Sequence, residues 1–138
     1  EVTVFADDDG LNASSQINIS GGRVDVTVSS SGDTDGIDSN GTITISGGTV
    51  IARGPNSEMS APIDADGTIK ITGGTVIVIG YAGNFSTSGV TKTKLTKGLS
   101  TGTFAVTIGS ATITYTNIYS YSGSVTVYGS GTATISAN

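Results

Sequence analysis

The groups in this chain best equipped for chemistry are aspartates that recur at a fixed interval. Asp9 opens Asp-Gly-Leu-Asn, Asp35 opens Asp-Gly-Ile-Asp 26 positions on, and Ala61-Pro62-Ile63-Asp64 falls at the same offset. Asn12, Asp38 and Asp64 thereby form a second column, with Asp33 and Asp66 close by. The chain has no Cys and no His, which removes disulfides, zinc sites, thiol nucleophiles and imidazole acid–base chemistry. Carboxylates, Lys, Tyr and hydroxyls remain.

If units of 26 residues stack at the ~4.8 Å spacing of neighbouring strands, carboxylates one unit apart form a repulsive ladder. Ca²⁺ binds oxygen at roughly 2.3–2.6 Å, so two ligands on opposite sides of the ion lie about 4.8 Å apart. Asp9, Asp33, Asp35, Asp38, Asp64 and Asp66 are on this ground candidate Ca²⁺ ligands. The competing account is that Asp and Asn before Gly are turn formers that bond their own backbone. Both accounts stay open at this stage.

What must position these aspartates is a repeat. Gly21-Gly22, Gly47-Gly48 and Gly73-Gly74 follow Ile-Asn-Ile-Ser, Ile-Thr-Ile-Ser and Ile-Lys-Ile-Thr at the same interval of 26. Five apolar columns run through the units: Leu11/Ile37/Ile63, Ile17/Ile43/Ile69, Ile19/Ile45/Ile71, Val24/Val50/Val76 and Val26/Ala52/Val78. Polar residues alternate with them, the period of a strand with one buried face. Three short strands per unit, separated by Gly-rich corners, describe one coil of a parallel β-helix. The right-handed form is expected, because parallel crossovers favour that hand. The Gly-Gly corner supplies φ > 0 where the chain turns. Stepping 26 back from Val28 reaches Val2, so residues 1–83 hold about three coils and begin partway through one. The open end suggests a piece of a larger, multidomain protein.

After about Gly80 the register fails, and Thr103–Ile108, Ala111–Tyr115, Ser124–Tyr128 and Thr132–Ile135 alternate like an antiparallel meander. Residues 84–138 are expected to form a β-rich cap over the last coil, with Phe85, Phe104, Val106 and Ile108 facing the solenoid. The whole is one domain of 138 residues.

Charge narrows the partners. Six Lys and Arg against eleven Asp and Glu, net −5, argue against nucleic acid. No run approaches the ~20 apolar residues of a membrane helix. For carbohydrate, Tyr119 and Tyr121 lie two apart in an expected extended segment, on one face about 7 Å from each other, and could stack on alternate sugar rings. Packing within the cap is the other account of this pair. Lys92 and Lys94, with Lys97, and Arg53 are the basic residues that could contact uronate carboxylates, although Lys also protects exposed edge strands. Carboxylate pairs invite a glycosidase reading, since retaining enzymes place two about 5–5.5 Å apart, but the Asp-Gly turns look solvated. A lyase would need an Arg or Lys base, and only Arg23, Arg53 and Lys70 sit on the regular coils.

The combination of DGIDSNGTITISGGTVIARGP, the Ile63-Asp64-x-Asp66-Gly67 step, ITGGTVIVIG and a strand-rich tail resembles the polysaccharide-lyase-like β-helix carbohydrate-binding domains of clostridial and ruminal bacterial surface proteins. The likeness is best over residues 35–80. It implies a secreted or cell-surface, non-catalytic module that binds plant cell-wall polysaccharide, pectin-type or cellulose, on a calcium-containing right-handed β-helix. Asp35, Gly36, Ile37, Asp38, Ser39, Asn40 and Gly41 meet the family's acidic step. Ala61-Pro62, where a third Asp-Gly would stand, departs from it. A structural or adhesive spacer of a surface protein, and a polysaccharide lyase, are the alternatives.

Overall fold

The computed structural model describes all 138 residues and contains strands but no helix. Each repeat gives three strands. In the first they are β2 (Leu11–Ala13), β3 (Gln16–Ile19) and β4 (Arg23–Thr27), preceded by β1 (Val2–Phe5). The second holds β5 (Ile37–Ser39), β6 (Thr42–Ile45) and β7 (Thr49–Arg53), and the third β8 (Ile63–Ala65), β9 (Ile69–Ile71) and β10 (Thr75–Gly80). Equivalent strands pair in parallel, which makes a β-solenoid of about three turns. All five apolar columns are ladder registers, from Leu11↔Ile37↔Ile63 to Val26↔Ala52↔Val78. Ile37, Ile43, Ile45, Val50 and Val76 are fully buried inside the coils. Each such side chain is worth about 1.5–3 kcal/mol relative to exposure.

The Gly-Gly corners divide two tasks. The second glycine takes positive φ, 73° at Gly22, 80° at Gly48 and 73° at Gly74. The first permits close stacking: a Cβ on Gly47 would lie 2.5 Å from the Ser20 carbonyl oxygen of the coil below.

The step from β1 to β4 is shorter than the repeat. Val2 pairs with Val24, 22 positions on, and not with Val28. The cause is the link: residues 6–10 join β1 to β2, whereas residues 28–36 join β4 to β5, four more.

The remaining strands are β11 (Ser86–Thr87), β12 (Thr91–Leu95), β13 (Gly102–Ile108), β14 (Ala111–Asn117), β15 (Ser124–Gly129) and β16 (Ala133–Ala137). They do not form one meander. β15 leaves its sequence neighbours, pairs antiparallel with β10, and carries β12 on its other edge. β11 extends the β9 edge, and Phe85 packs on the solenoid interior with its ring 5.5 Å from that of Tyr128. Strands β14-β13-β16 make a separate antiparallel sheet. Its Phe104, Val106 and Ile108 face the solenoid as expected, but across its flank: they pack on Ile51, Ile77 and Ile79, the outward side chains of β7 and β10. Residues 84–138 thus extend the last coil at β9 and β10, add no strand at β8, and also cover one outer face.

Candidate metal centre and the surrounding faces

The short sheet β2-β5-β8 presents the acidic columns. Asn12, Asp38 and Asp64 stand in register on its outward side, and Asp9 and Asp35 occupy the corners that precede β2 and β5. Carboxylate oxygens of Asp9, Asp35 and Asp38 all lie within 4.8 Å of one another. The 26-residue interval stacks one coil on the next, so residues far apart in sequence converge.

Hydrogen bonds show what these carboxylates do for the fold. The Asp35 amide donates to Asp9 Oδ1 at 2.8 Å, and the Ala61 amide donates to Asp35 Oδ1 at 2.8 Å. Each corner aspartate therefore satisfies a main-chain N–H one coil further on, a charge-assisted bond. Ala61 ends this ladder, since no further coil stacks on that corner. Asn12 Nδ2 donates to both Asp9 Oδ2 at 3.1 Å and Asp38 Oδ2 at 3.0 Å, placing an amide between two carboxylates.

The cluster is still electrostatically unbalanced. Burial pushes Asp35 up to about 6, against the lowering effect of the Ala61 amide, with Asp64, Asp38 and Asp9 adding repulsion. Asp38 is raised by burial and then by Asp9, Asp64 and Asp66; Asp64 is raised by burial and then by Asp66. No Lys or Arg forms an ion pair with any of them. Three half-buried carboxylates at this separation are a donor set for a hard cation, with oxygen acceptors to spare on Asp35 and Asp38. The residues fit a hard metal cation, and Asp9, Asp35 and Asp38 are the ones that would hold it.

The other proposed ligands lie outside the triad. Asp64 stacks one coil above Asp38. Asp66 is exposed in the turn after β8, and Asp33 is exposed and accepts from Ser60 Oγ at 3.4 Å.

The carbohydrate candidates separate more sharply. Arg53 is 1 % exposed and is not available to a glycan. It reaches from β7 to Asp25 Oδ1 and Thr27 Oγ1 on β4, and donates to Asn117 Oδ1 on β14 at 2.9 Å. Its guanidinium lies 5.7 Å from the Tyr115 ring centroid. A long charged side chain reads as surface in a sequence, but here the covering sheet supplies partners for it. Tyr121 is likewise interior, 6 % exposed, and its hydroxyl donates to the Val28 carbonyl at 2.7 Å. Burial pushes that hydroxyl up to about 12. Tyr119 is 43 % exposed and meets Tyr121 edge-on, centroids 6.5 Å apart, so the pair is not a two-ring sugar platform. Lys92 and Lys94 are exposed on β12, the edge of its sheet.

Sequence reasoning missed Asp25, Asn117 and the bridging role of Asn12. Asp25 carried a signal. It stands in the outward column Asp25/Ile51/Ile77, the one charge among two Ile, two columns from Arg53 on the next coil. Comparison with protein-family models, curated proteins and solved structures returned no match.

Proposed function

We propose that this chain is a non-catalytic carbohydrate-binding β-solenoid module of a secreted or cell-surface bacterial protein, in which Ca²⁺ held by Asp9, Asp35 and Asp38 assists binding of plant cell-wall polysaccharide. The observation that carries the reading is the convergence of those three carboxylates within 4.8 Å with no cationic partner. A divalent cation there would offset the mutual repulsion, and its open coordination positions suit the carboxylates of an acidic glycan. The likeness of the Asp35–Gly41 and Ile63–Gly67 steps to polysaccharide-binding β-helices supports the choice of ligand.

A second reading, a Ca²⁺-stiffened structural or adhesive spacer, is favoured by the bonds from the Asp35 and Ala61 amides to Asp9 and Asp35. These give the corner aspartates a purely architectural task. Affinity electrophoresis through polygalacturonate, hydroxyethylcellulose and xylan, with Ca²⁺ and with chelator, separates the two. The module reading expects retardation that chelation weakens on the acidic glycan. Retardation on no glycan, together with a Ca²⁺-dependent rise in melting temperature, leaves the spacer. Release of unsaturated uronides, absorbing in the near ultraviolet, would contradict a non-catalytic role.

A further inference from the structure

The solenoid does not end evenly. The sheet containing β10 continues into β15 and β12, and the sheet containing β9 continues into β11, but the sheet β2-β5-β8 stops at β8. Where a fourth strand would lie over Ile63–Ala65 there is a cleft of about 460 Å³, bounded by Glu58, Asp64, Tyr81, Asn84 and Phe85. That volume falls within the roughly 300–1,000 Å³ of small-molecule sites.

Its walls have a definite chemistry. Phe85 forms a fixed apolar surface, held by the solenoid interior and by Tyr128. Tyr81 is half-buried, with its ring against Gly83, where a Cβ would stand 3.3 Å from Cε2. Asp64 and Glu58 can only accept hydrogen bonds when ionised, whereas the exposed Asn84 amide can donate and accept. No Lys or Arg lines the cleft. A sugar ring offers an apolar C–H face to an aromatic ring and hydroxyl donors at its rim to carboxylates. A uronate chain would bring its own negative charge against Asp64 and Glu58.

We infer that this notch is a subsite for a neutral polysaccharide, taking one or two sugar units along the free edge of β8, with Tyr81 and Phe85 as the apolar surface and Asp64, Glu58 and Asn84 as hydrogen-bonding rim. The inference rests on the polysaccharide reading above and adds to it: acidic chains are left to the cation at the triad, and the notch is a second subsite that takes an uncharged chain. With only three residues, β8 offers a peptide strand few ladder bonds, so the side-chain chemistry decides the occupant.

The test is calorimetric titration of the intact chain in Ca²⁺-containing buffer with xylohexaose, cellohexaose and hexagalacturonate, alongside Tyr81→Ala, Asn84→Ala and Tyr119→Ala. A neutral hexaose is expected to bind, Tyr81→Ala and Asn84→Ala each to weaken it roughly three- to tenfold, and Tyr119→Ala to leave it unchanged. Circular dichroism checks the fold of each variant, and exposed Asn84 keeps the test valid if Tyr81→Ala does not fold. Neutral binding that is indifferent to both cleft variants overturns the subsite while the polysaccharide reading stands. Binding of hexagalacturonate alone does the same. If neither these hexaoses nor the polymers bind the unmodified chain, the polysaccharide reading falls and this inference with it.

Discussion

Two outward faces of the same three coils have opposite fates. On β4, β7 and β10 the outward columns are Asp25/Ile51/Ile77 and Thr27/Arg53/Ile79, and the β14-β13-β16 sheet lies over them. On β2, β5 and β8 the outward column is Asn12/Asp38/Asp64, and nothing covers it. The inward columns are nearly alike on both sides, aliphatic except for the buried Ser39 in the column Ala13/Ser39/Ala65, so the inside of the coil does little to distinguish them. The outward residue of each rung decides whether a face recruits a second layer or stays open to ions. Even the covered face keeps charge, because Asp25, Arg53 and Asn117 satisfy one another across the seam.

The seam is where the largest effect is expected. Arg53→Ala leaves half-buried Asp25 with only its 3.4 Å contact to Arg23, leaves the buried Asn117 Oδ1 without its donor and removes the contact with Tyr115; breaking a buried pair from one side costs about 3–5 kcal/mol, and Arg23 places the cost at the lower end. Urea unfolding should show the midpoint fall accordingly. Arg53→Met combined with Asp25→Leu should recover much of the loss, since an apolar replacement leaves no uncompensated charge. A cost for Arg53→Ala below about 1 kcal/mol would mean that the two layers adhere through Ile51, Ile77 and Phe104 alone.

Next in size is the stacking of corners. Gly47→Ala drives a Cβ into the Ser20 carbonyl, and overpacking of this kind costs about 1–3 kcal/mol. Gly21→Ala, the equivalent change in the first coil, meets nothing within 4 Å and should be nearly neutral. Equal melting temperatures for the two variants would contradict the tight coil-on-coil contact.

These cases also mark what a sequence can disclose. The inward columns, the Gly-Gly corners and the Asp9/Asp35/Asp38 convergence follow from one interval, because a 26-residue period turns sequence distance into spatial contact. The covering of β7 and β10 had a local trace in Val76-Ile77-Val78-Ile79, an unbroken apolar run where β6 alternates Thr and Ile. Such a run signals burial on both faces. The partners of Arg53 differ in this respect: Asp25, 28 positions back and so two residues off the 26-residue register, shows only as the lone charge of its outward column, and Asn117, 64 positions on, has no trace in the repeat at all. The path of β15 was hidden for a related reason. Its alternation fits either neighbour, and only the unpaired edge of β10 draws it out of the meander.

On the open face the expected effects are smaller and ionic. Asp38→Asn should weaken Ca²⁺ binding about tenfold or more by calorimetry, whereas Asp33→Asn should change it little, since Asp33 lies outside the triad. If the two substitutions weaken binding equally, the ion is not held by the triad.

The smallest effect is a pH dependence whose sign is opposite to that of an ordinary ion-paired aspartate. Asp35 titrates from 3.8 in the unfolded chain to about 6 in the fold, chiefly through burial. The folded state therefore binds the proton more tightly, and the associated stability is fully present below pH 3.8 and lost as pH rises through about 6. Without divalent cation the melting temperature should decline across that window. Ca²⁺ favours the ionised carboxylates, so adding it should raise the melting temperature most at neutral pH and flatten the decline. Asp35→Asn retains an acceptor for the Ala61 amide and deletes the charge, so it should reduce the slope in cation-free buffer and leave the part that Asp38 and Asp64 contribute. The covered face supplies the control: Tyr121→Phe loses the bond to the Val28 carbonyl, about 1 kcal/mol, but should leave the slope unaltered. A cation-free melting temperature that is flat between pH 4 and 7, or a slope that Asp35→Asn leaves wholly unchanged, would show that burial on the open face does not hold Asp35 above the ordinary carboxylate range.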